Sequence, residues 1–199
     1  MTEISTPFRR ATSADAAQMA ELVNMAGGGL PMYVWDRFAQ VGQTAWEVGL
    51  ERARLGLGGF AFRHTVVRDV GGRVGACLMG YPMCEPPPPP PVRGGVEVPP
   101  QLTVLQELGK LAPIGWYLNV IATFPEHRGK GFATELLRMA DQLAQDAECS
   151  SISLTMSDAN LPARRLYEKH GYAELAQRAI VKAGWELAGE NWVLMVKRF

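Results

Sequence analysis

Residues 128–133 form a short run whose residue types and spacing suit the binding of a phosphate group. The run, Arg-Gly-Lys-Gly-Phe-Ala, opens a segment in which apolar residues recur at helical spacing. The first turn of a helix has unpaired N–H groups and a partial positive charge, so an anion placed there gains several donors and a favourable field. The arginine and the lysine add charge-assisted bonds, and the glycines let the backbone approach the ligand or adopt a positive φ. The run therefore predicts a pyrophosphate site made by Arg128, Gly129, Lys130, Gly131, Phe132, Ala133 and Thr134.

Two common phosphate-binding motifs do not account for this run. A P-loop requires the pattern GxxxxGK followed by Ser or Thr, and the dinucleotide fingerprint GxGxxG requires a third glycine. Neither pattern is present, because Gly129-Lys130-Gly131 is too short for either motif. A helix entry with solvated basic residues is the alternative to a ligand site.

A second candidate segment, residues 157–172, reads SDANLPARRLYEKHGY. Together with the first run it resembles the signatures of the GNAT acetyltransferases, whose first motif is Arg/Gln-x-x-Gly-x-Gly/Ala, preceded here by Pro125-Glu126. The resemblance covers about residues 115–173. It implies an acetyl-CoA-dependent N-acetyltransferase that uses acetyl-CoA as cosubstrate and needs no metal ion. The second motif matches at Asn160, Ala163, Leu166, Tyr167, Gly171 and Tyr172.

The resemblance also implies roles for residues outside the first run. In this family the strand before the turn splays from the next strand, and the pantetheine arm lies in the gap and bonds to the first strand's backbone, here at Ile121, Ala122 and Thr123. Tyr167 aligns with a tyrosine that donates a proton to the departing CoA thiolate, as a phenol can. Packing beneath its helix is the alternative role of Tyr167. Asn160 aligns with a residue that bonds the pantetheine arm, and a helix cap is its alternative role.

The base that removes the amine proton is left open by the sequence. An alkylammonium of pKa about 10 is only about one part in a thousand neutral at pH 7, so a base or a water chain is required. Relatives often carry a carboxylate near this strand, whereas WYLNVIAT offers only Tyr117 and Asn119 on one face. Either Glu85, Glu97 or Glu107 supplies the carboxylate, or Asn119 holds a water that relays the proton.

Hydrophobic spacing predicts the elements that carry these residues. Helical patterns cover a segment capped by Ser13 or Asp15 and ending at Gly27–Gly29, two short helices between Met32 and Leu55, and residues 102–111, 133–147 and 161–170. Strand patterns cover residues 7–11, 116–123, 151–156, 172–182 and 191–199, and a hairpin between Phe60 and Tyr81 turns at Gly71-Gly72. A strand, a helix and a strand in succession after residue 116 predict a parallel crossover.

The predicted fold class is α/β (α+β), with a mixed, mostly antiparallel twisted sheet of the GNAT type and helices on both faces. We expect a single domain over residues 1–199, with a proline-rich insertion at about residues 82–100. Within the insertion, the six prolines Pro86–Pro91 favour an extended polyproline II segment. This segment is either a stiff spacer or a docking site for another protein. A docking site would fit the alternative function, a non-catalytic acyl-CoA-binding sensor or interaction module. The absence of a carboxylate on the strand also favours this alternative.

Acceptor specificity in the resembling family lies in the first helical region and in loops, here Gly27–Leu55 and the insertion. Tyr33, Trp35, Phe38 and Trp46 either line an acceptor pocket or form an aromatic stripe of the core. A small-molecule amine is expected as the acceptor, because no acidic groove for a basic peptide is visible in the sequence. Relatives commonly form homodimers, and a homodimer is an expectation that the sequence does not decide.

Composition excludes several other classes of function. Hydrophobic residues make up 47% of the 199 residues and charged residues 20%, as in a globular domain. Lys plus Arg and Asp plus Glu number 20 each, which leaves no electrostatic footprint for nucleic acid or an anionic membrane. The sequence has neither a secretory leader nor eighteen consecutive apolar residues, so a cytoplasmic location is expected.

Cysteines and histidines predict no metal site. Cys77, Cys84 and Cys149 are widely spaced, without a CxxC pair, and are expected to be buried thiols. His127 and His170 have no partner at a metal-ligand spacing and are expected to face solvent.

Overall fold

The computed structural model of the protein describes residues 4–55, 61–83 and 98–199. These residues divide into two compact units, one within Met1–Tyr81 and Leu118–Leu143 and the other within Pro82–Tyr117 and Ala144–Phe199. The described residues include seven strands in a mixed, mostly antiparallel sheet together with six α-helices, which confirms the predicted fold class.

The helices and strands predicted from hydrophobic spacing are present, with ends a few residues from the predicted ones. The hexaproline segment Pro86–Pro91 lies outside the described residues. Short 3₁₀ turns at Ser13–Asp15, Phe62–His64 and Pro125–His127 precede α1, β2 and α5. In chain order the elements are β1 (Phe8–Arg10), α1 (Ala16–Ala26), α2 (Leu30–Arg37), α3 (Ala45–Leu55), β2 (Thr65–Val70), β3 (Arg73–Met83), α4 (Pro100–Gly109), β4 (Gly115–Thr123), α5 (Phe132–Asp146), β5 (Ser151–Ser157), α6 (Leu161–Lys169), β6 (Ala173–Ala179) and β7 (Asn191–Arg198).

The first unit contains an antiparallel run of β1, β2 and β3. β1 pairs with β2 at Phe8↔Arg68, and β2 pairs with β3 at Thr65↔Met79. The predicted hairpin between β2 and β3 is confirmed, and its turn is Gly71-Gly72. The two glycines have φ of +61° and +83°, a conformation that favours glycine and suits a two-residue hairpin turn.

Helices α1, α2 and α3 pack with these strands to form the core of the first unit. Trp35 is 3% exposed and lies over Gly49, whose missing side chain leaves room for the indole ring. Trp35 is therefore a core residue, and burying a side chain of this size contributes roughly 2–3 kcal/mol. Phe38 and Trp46 are half-buried against the same core. Its other buried members larger than alanine are Met19, Leu22, Val23, Val48, Val67, Val74, Cys77, Met79, Val120 and Phe124.

Asp15, one of the two predicted caps, is the N-cap residue of α1, but its side chain makes no capping hydrogen bond to the helix. A 3₁₀ turn over Ser13–Asp15 precedes α1, and the Asp15 carboxylate accepts hydrogen bonds from the Thr12 N–H (2.8 Å) and hydroxyl (3.2 Å). Arg9 donates two further bonds to this carboxylate, both 2.8 Å long. The Asp15 side chain therefore faces back toward β1, because an arginine on that strand competes for it.

The second unit contains the parallel pair that the strand–helix–strand pattern predicts. β4 pairs with β5 at Trp116↔Ile152 and Tyr117↔Ser153. β7 lies between β5 and β6 and is antiparallel to both, with Ser157↔Trp192 and Ala179↔Asn191 at one end. The larger apolar side chains buried in this unit include Leu108, Trp116, Ile152, Leu154, Tyr172, Val193, Leu194 and Met195.

Two further expectations concern the burial of the cysteines and the length and hydrophobicity of the helices. Cys77 is fully buried as predicted, Cys149 is half-buried, and Cys84 lies outside the described residues. The longest helix in the described part of the chain, α5, has 15 residues. No helix there combines the length and the hydrophobicity that crossing a membrane requires.

Candidate active site

The turn after β4 is held to the sheet by β3. The N–H of Phe124 donates to the carbonyl of Gly75 at 3.1 Å, and Pro125–His127 then form a 3₁₀ turn. A Cβ at Gly75 would overlap Cγ2 of Val70 at 2.6 Å and would lie tightly against ring atoms of His127 at 3.2 Å and Phe132 at 3.3 Å. The glycine on β3 thus lets the turn pack closely on the strand, a requirement that has no local signal in the sequence.

Gly129 and Gly131 both have a positive φ, +74° and +83°. A residue with a side chain in this region costs roughly 1–2 kcal/mol, so the backbone path of the turn favours glycine at both positions. A Cβ at either position would meet no atom within 4 Å, and both residues are exposed. The space beside them is open to a ligand, and backbone conformation rather than crowding by the protein selects glycine.

The N-terminus of α5 places backbone donors next to these glycines. The N–H of Glu135 makes the first helical bond, to the carbonyl of Gly131 at 3.1 Å. The N–H groups of Phe132, Ala133 and Thr134 precede it, and an α-helix provides no internal acceptor for them. Gly131 has no side chain that could cap them. The donors and the helix dipole suit an anion, while the pyrophosphate itself stays a prediction.

The two basic side chains of the turn fold back along it. Arg128 is exposed, and its Nε donates to the carbonyl of Thr123 at 3.4 Å. The Lys130 ammonium, also exposed, lies 3.4 Å from Nδ1 of His127. Both charges lie in solvent at the glycine turn, where an arriving anion would gain charge-assisted hydrogen bonds.

Phe132, the first residue of α5, is buried and anchors the helix within the first unit. Its ring stacks with that of His127, with centroids 5.7 Å apart, so His127 is half-buried and the prediction that it faces solvent is wrong. On β2, the guanidinium carbon of Arg68 lies 3.6 Å from the Phe132 ring centroid, within the range of a cation–π contact. Arg68 also donates from Nε to Oε2 of Glu135 at 2.7 Å. Arg68 and Glu135 are absent from the predicted site, because no local pattern links β2 to α5.

The last residues of β4 combine packing with a partly accessible backbone. Ile121, Ala122 and Thr123 are half-buried, and Ala122 packs against the core of the first unit. Asn119, earlier on the strand, is also half-buried. Burial raises the pKa of the neighbouring Cys77 thiol to about 12, against the smaller effect of a hydrogen bond with the Ala122 backbone. The pantetheine contacts predicted for β4 use main-chain atoms, so side-chain packing does not preclude them.

Asn160, in the second unit, is the N-cap of α6. Its Oδ1 accepts a hydrogen bond from the N–H of Ala163 at 3.3 Å, and Pro162 lies in the first turn. The cap, one of the two predicted roles, is therefore present. This bond uses the amide oxygen, and the amide NH₂ group is a donor that suits the pantetheine role, which stays a prediction.

Tyr167 lies on α6, 8% exposed, with its ring centroid 5.7 Å from that of Tyr172. Burial raises the pKa of the Tyr167 hydroxyl above its ordinary value of about 10. The phenol therefore stays protonated at neutral pH, as a proton donor must. The packing role is present, and the role as a proton donor stays a prediction. His170, just beyond α6, is half-buried rather than facing solvent as predicted.

Asp158 joins the turn before α6 to the start of β7. Its carboxylate accepts bonds from the N–H groups of Glu190 and Asn191 and from the Asn191 side-chain amide, each 3.0 Å long. Gly189 lacks the Cβ that would overlap this carboxylate. Burial acts to raise the pKa of Asp158, but these hydrogen bonds outweigh burial and lower it. Asp158 thereby fixes the backbone that carries Asn160, and the sequence alone assigns it no role.

Glu107 is the one candidate carboxylate for the base that falls within the described residues. Glu107 lies exposed on α4 in the second unit, and Glu85 and Glu97 lie outside the described residues. Burial raises the pKa of Tyr117, which a hydrogen bond with Thr155 offsets only in part, so this phenol is a poor base at neutral pH. Within residues 4–55, 61–83 and 98–199, no group of three or more His, Cys, Asp or Glu side chains is placed to hold a metal ion.

The sequence matches the model of a known protein family over a range that includes the candidate site. The model of the acetyltransferase (GNAT) family matches residues 42–172. The matched range contains the glycine turn at residues 128–133 as well as Asn160 and Tyr167.

Solved structures of acetyltransferases share the fold. One acetyltransferase aligns with a TM-score of 0.64 and 18% identity, covering 96% of this chain and 98% of that chain. An N-acetyltransferase from Staphylococcus aureus Mu50 aligns with a TM-score of 0.58 and 22% identity, covering 95% and 98%. A chain of the NatC complex bound to Gag peptide and CoA aligns with a TM-score of 0.54 and 12% identity, covering 96% and 97%. At these identities the similarity establishes the fold alone.

Proposed function

The chain belongs to the acetyltransferase (GNAT) family, and we propose that it transfers the acetyl group of acetyl-CoA to the primary amine of a small molecule. The family match over residues 42–172 confirms the resemblance of the two sequence motifs. Acetyl transfer is the reaction class of this family. The residues assigned to bind acetyl-CoA and the choice of an amine as acceptor go beyond the family match and are part of the proposal.

The observation that carries the proposal is the glycine-rich entry to α5. Gly129 and Gly131 have positive φ and open surroundings, and the N–H groups of the first helical turn follow them directly. Acetyl-CoA contains a pyrophosphate, an anion that suits backbone donors, a helix dipole and two nearby cations. We assign the pyrophosphate to residues 128–134. The pantetheine arm is assigned to the backbone of Ile121, Ala122 and Thr123 and to the amide of Asn160.

The chemistry balances with groups that the chain provides. The amine nitrogen bonds to the thioester carbonyl carbon, the C–S bond breaks, the sulfur gains a proton and the nitrogen loses one. Tyr167 is assigned to give a proton to the sulfur, since its hydroxyl is protonated at neutral pH and burial raises its pKa further, and it then regains a proton from solvent. Asn119, half-buried on β4, is assigned to hold a water that relays the amine proton to solvent. The products are an acetamide and the thiol of CoA.

The acceptor is assigned to the region Gly27–Leu55 of the first unit. Tyr33, Phe38 and Trp46 are half-buried there, whereas Trp35 is buried in the core. A small amine suits the chain better than a basic peptide does. With 20 basic and 20 acidic residues, the chain has no net negative charge that would attract a cationic peptide.

Calorimetric titration with acetyl-CoA, followed by a thiol-release screen over amines, polyamines, amino acids and peptides, tests this function. Gly131→Trp places a large side chain in the proposed pyrophosphate site. Gly72→Trp is a matched control, because Gly72 has the same φ of +83° on the β2–β3 turn and equally open surroundings. The two variants carry similar backbone strain, and only Gly131→Trp is expected to lose binding.

Three outcomes of this experiment separate the hypotheses. Binding by the wild type and by Gly72→Trp, with thiol release for one amine, supports the transferase and identifies its acceptor class. Binding without thiol release for any acceptor indicates the acyl-CoA sensor instead. Failure of the wild type to bind acetyl-CoA refutes the assignment of residues 128–134.

A further inference from the structure

The Glu135 carboxylate lies close to the proposed pyrophosphate site. Glu135 is the fourth residue of α5, within the first turn, where a negative charge interacts favourably with the helix dipole. The same charge repels an anion bound at that N-terminus. The Glu135 side chain is 37% exposed, so solvent screens this repulsion only in part. A carboxylate in this position stabilises the helix and weakens the binding of an anionic ligand.

Arg68 on β2 neutralises this carboxylate. Its Nε lies 2.7 Å from Oε2 of Glu135, the length of a charge-assisted hydrogen bond, and its side chain is only 18% exposed. The guanidinium carbon also lies 3.6 Å from the ring centroid of Phe132. Phe132 and Glu135 are three residues apart and share one face of the helix, so a single arginine contacts both. The aromatic contact keeps the guanidinium where it meets the carboxylate.

We propose that Arg68 is a positioning residue for acetyl-CoA, which acts by cancelling the charge of Glu135 at the start of α5. The inference rests on the proposed function, because it assumes an anionic ligand at this N-terminus. Arg68 differs from Arg128 and Lys130, which are assigned to the ligand directly. Its effect on the ligand passes through Glu135.

The test is the acetyl-CoA Kd, measured by calorimetry, for Arg68→Met, Glu135→Gln and the double variant. Methionine keeps an unbranched apolar stem but no charge. We expect Arg68→Met to raise Kd about tenfold, because Glu135 is left without its partner. Glu135→Gln is expected to leave Kd unchanged or to lower it about twofold, since it removes a repulsive charge. In the double variant Kd is expected to return to within about threefold of the wild type, because neither charge is present.

Ionic strength and a control arginine distinguish charge cancellation from packing. The ratio of Kd between Arg68→Met and the wild type is expected to shrink between about 50 mM and about 500 mM salt, because salt screens the exposed part of the repulsion. A packing role would leave that ratio unchanged. Arg138→Met removes the same charge from an exposed position on the same helix and is expected to change Kd by less than about twofold.

When all the variants fold, either of two results overturns the proposal. One is equal increases in Kd for Arg68→Met and Glu135→Gln without recovery in the double variant, since the pair would then serve only the structure of the turn. The other is an unchanged Kd for Arg68→Met. If Arg68→Met does not fold, Glu135→Gln decides alone: a higher Kd overturns the proposal, and an equal or lower Kd supports it. A wild-type protein that does not bind acetyl-CoA refutes the proposed function instead, which separates the two failures.

Discussion

Helices α5 and α6 begin in opposite ways. At α6, Asn160 accepts the N–H of Ala163 at 3.3 Å, so the chain itself satisfies one donor of the first turn. At α5, the preceding residue is Gly131, which has no side chain and leaves the first turn without a cap of its own. A helix that caps itself gains stability, whereas a helix that opens on glycines keeps its donors for a ligand. The contrast distinguishes a structural helix start from one suited to binding.

Blocking the uncapped N-terminus of α5 is expected to have the largest effect. In Gly131→Trp we expect the acetyl-CoA Kd to rise at least about 1,000-fold, or about 4 kcal/mol, because the indole occupies the space of the pyrophosphate. Calorimetry measures this, and thermal unfolding measures the strain of roughly 1–2 kcal/mol that Gly72→Trp shares. Equal losses of binding in the two variants would mean that strain, and not occupation of a site, explains the result.

A large effect on turnover is also expected from a substitution within α6, C-terminal to its N-cap. Tyr167→Phe is expected to lower kcat about 100-fold, the low end for loss of general acid catalysis, without changing the acetyl-CoA Kd. Because burial raises the pKa of Tyr167, activity between about pH 7 and pH 9 is expected to show no loss from its ionisation. Steady-state kinetics across this pH range check both points. Tyr172→Phe is the matched control, and an equal fall in kcat there would remove the special role of Tyr167.

Removing the cap of α6 is expected to have a moderate effect on stability. Asn160→Ala should lower the free energy of unfolding by about 1 kcal/mol, because the N–H of Ala163 loses its acceptor. Asn160→Ser retains a capping oxygen and is expected to melt close to the wild type. If Asn160 also bonds pantetheine, Asn160→Ser raises the acetyl-CoA Kd while the melting temperature stays near that of the wild type. An unchanged melt for Asn160→Ala would show that the cap contributes nothing.

The start of α1 is a third kind of helix start, in which the N-terminal carboxylate is bound by an arginine. The smallest effect is expected here. Hydrogen bonds from Arg9 lower the pKa of Asp15, although burial opposes them. A carboxyl whose pKa is lower in the folded state stabilises the fold above its unfolded pKa of about 3.9, and this stability is lost as the pH falls through the folded pKa. Between about pH 5 and pH 2, the wild type is therefore expected to lose up to roughly 1 kcal/mol more than Asp15→Asn. Urea unfolding at several pH values measures the difference, and parallel losses would contradict it.

The predicted elements depend on local periodicity, which is why most of them agree with the structure. The hairpin at Gly71-Gly72 and the parallel β4–α5–β5 crossover follow from alternation, helical spacing and the position of glycines. The prediction fails where a side chain from a neighbouring element intervenes. Asp15 turns back from α1 because Arg9 on β1 binds it, and His127 is half-buried because it stacks on Phe132. Neither contact has a signature in the segments that it changes.

The motif residues of the candidate site can be recognised in the sequence, whereas the residues on other elements that hold them in place cannot. A glycine turn that enters a helix determines its donors and its positive φ values within a few residues, so residues 128–134 are visible in the sequence. Arg68, Gly75 and Asp158 gain their roles from partners on other elements, at separations along the chain that no motif spans. Backbone geometry and helix capping are local, and the sequence by itself determined them. Charge cancellation at Glu135 and close packing beneath the turn need two strands and a helix to meet, and only the tertiary structure decided them.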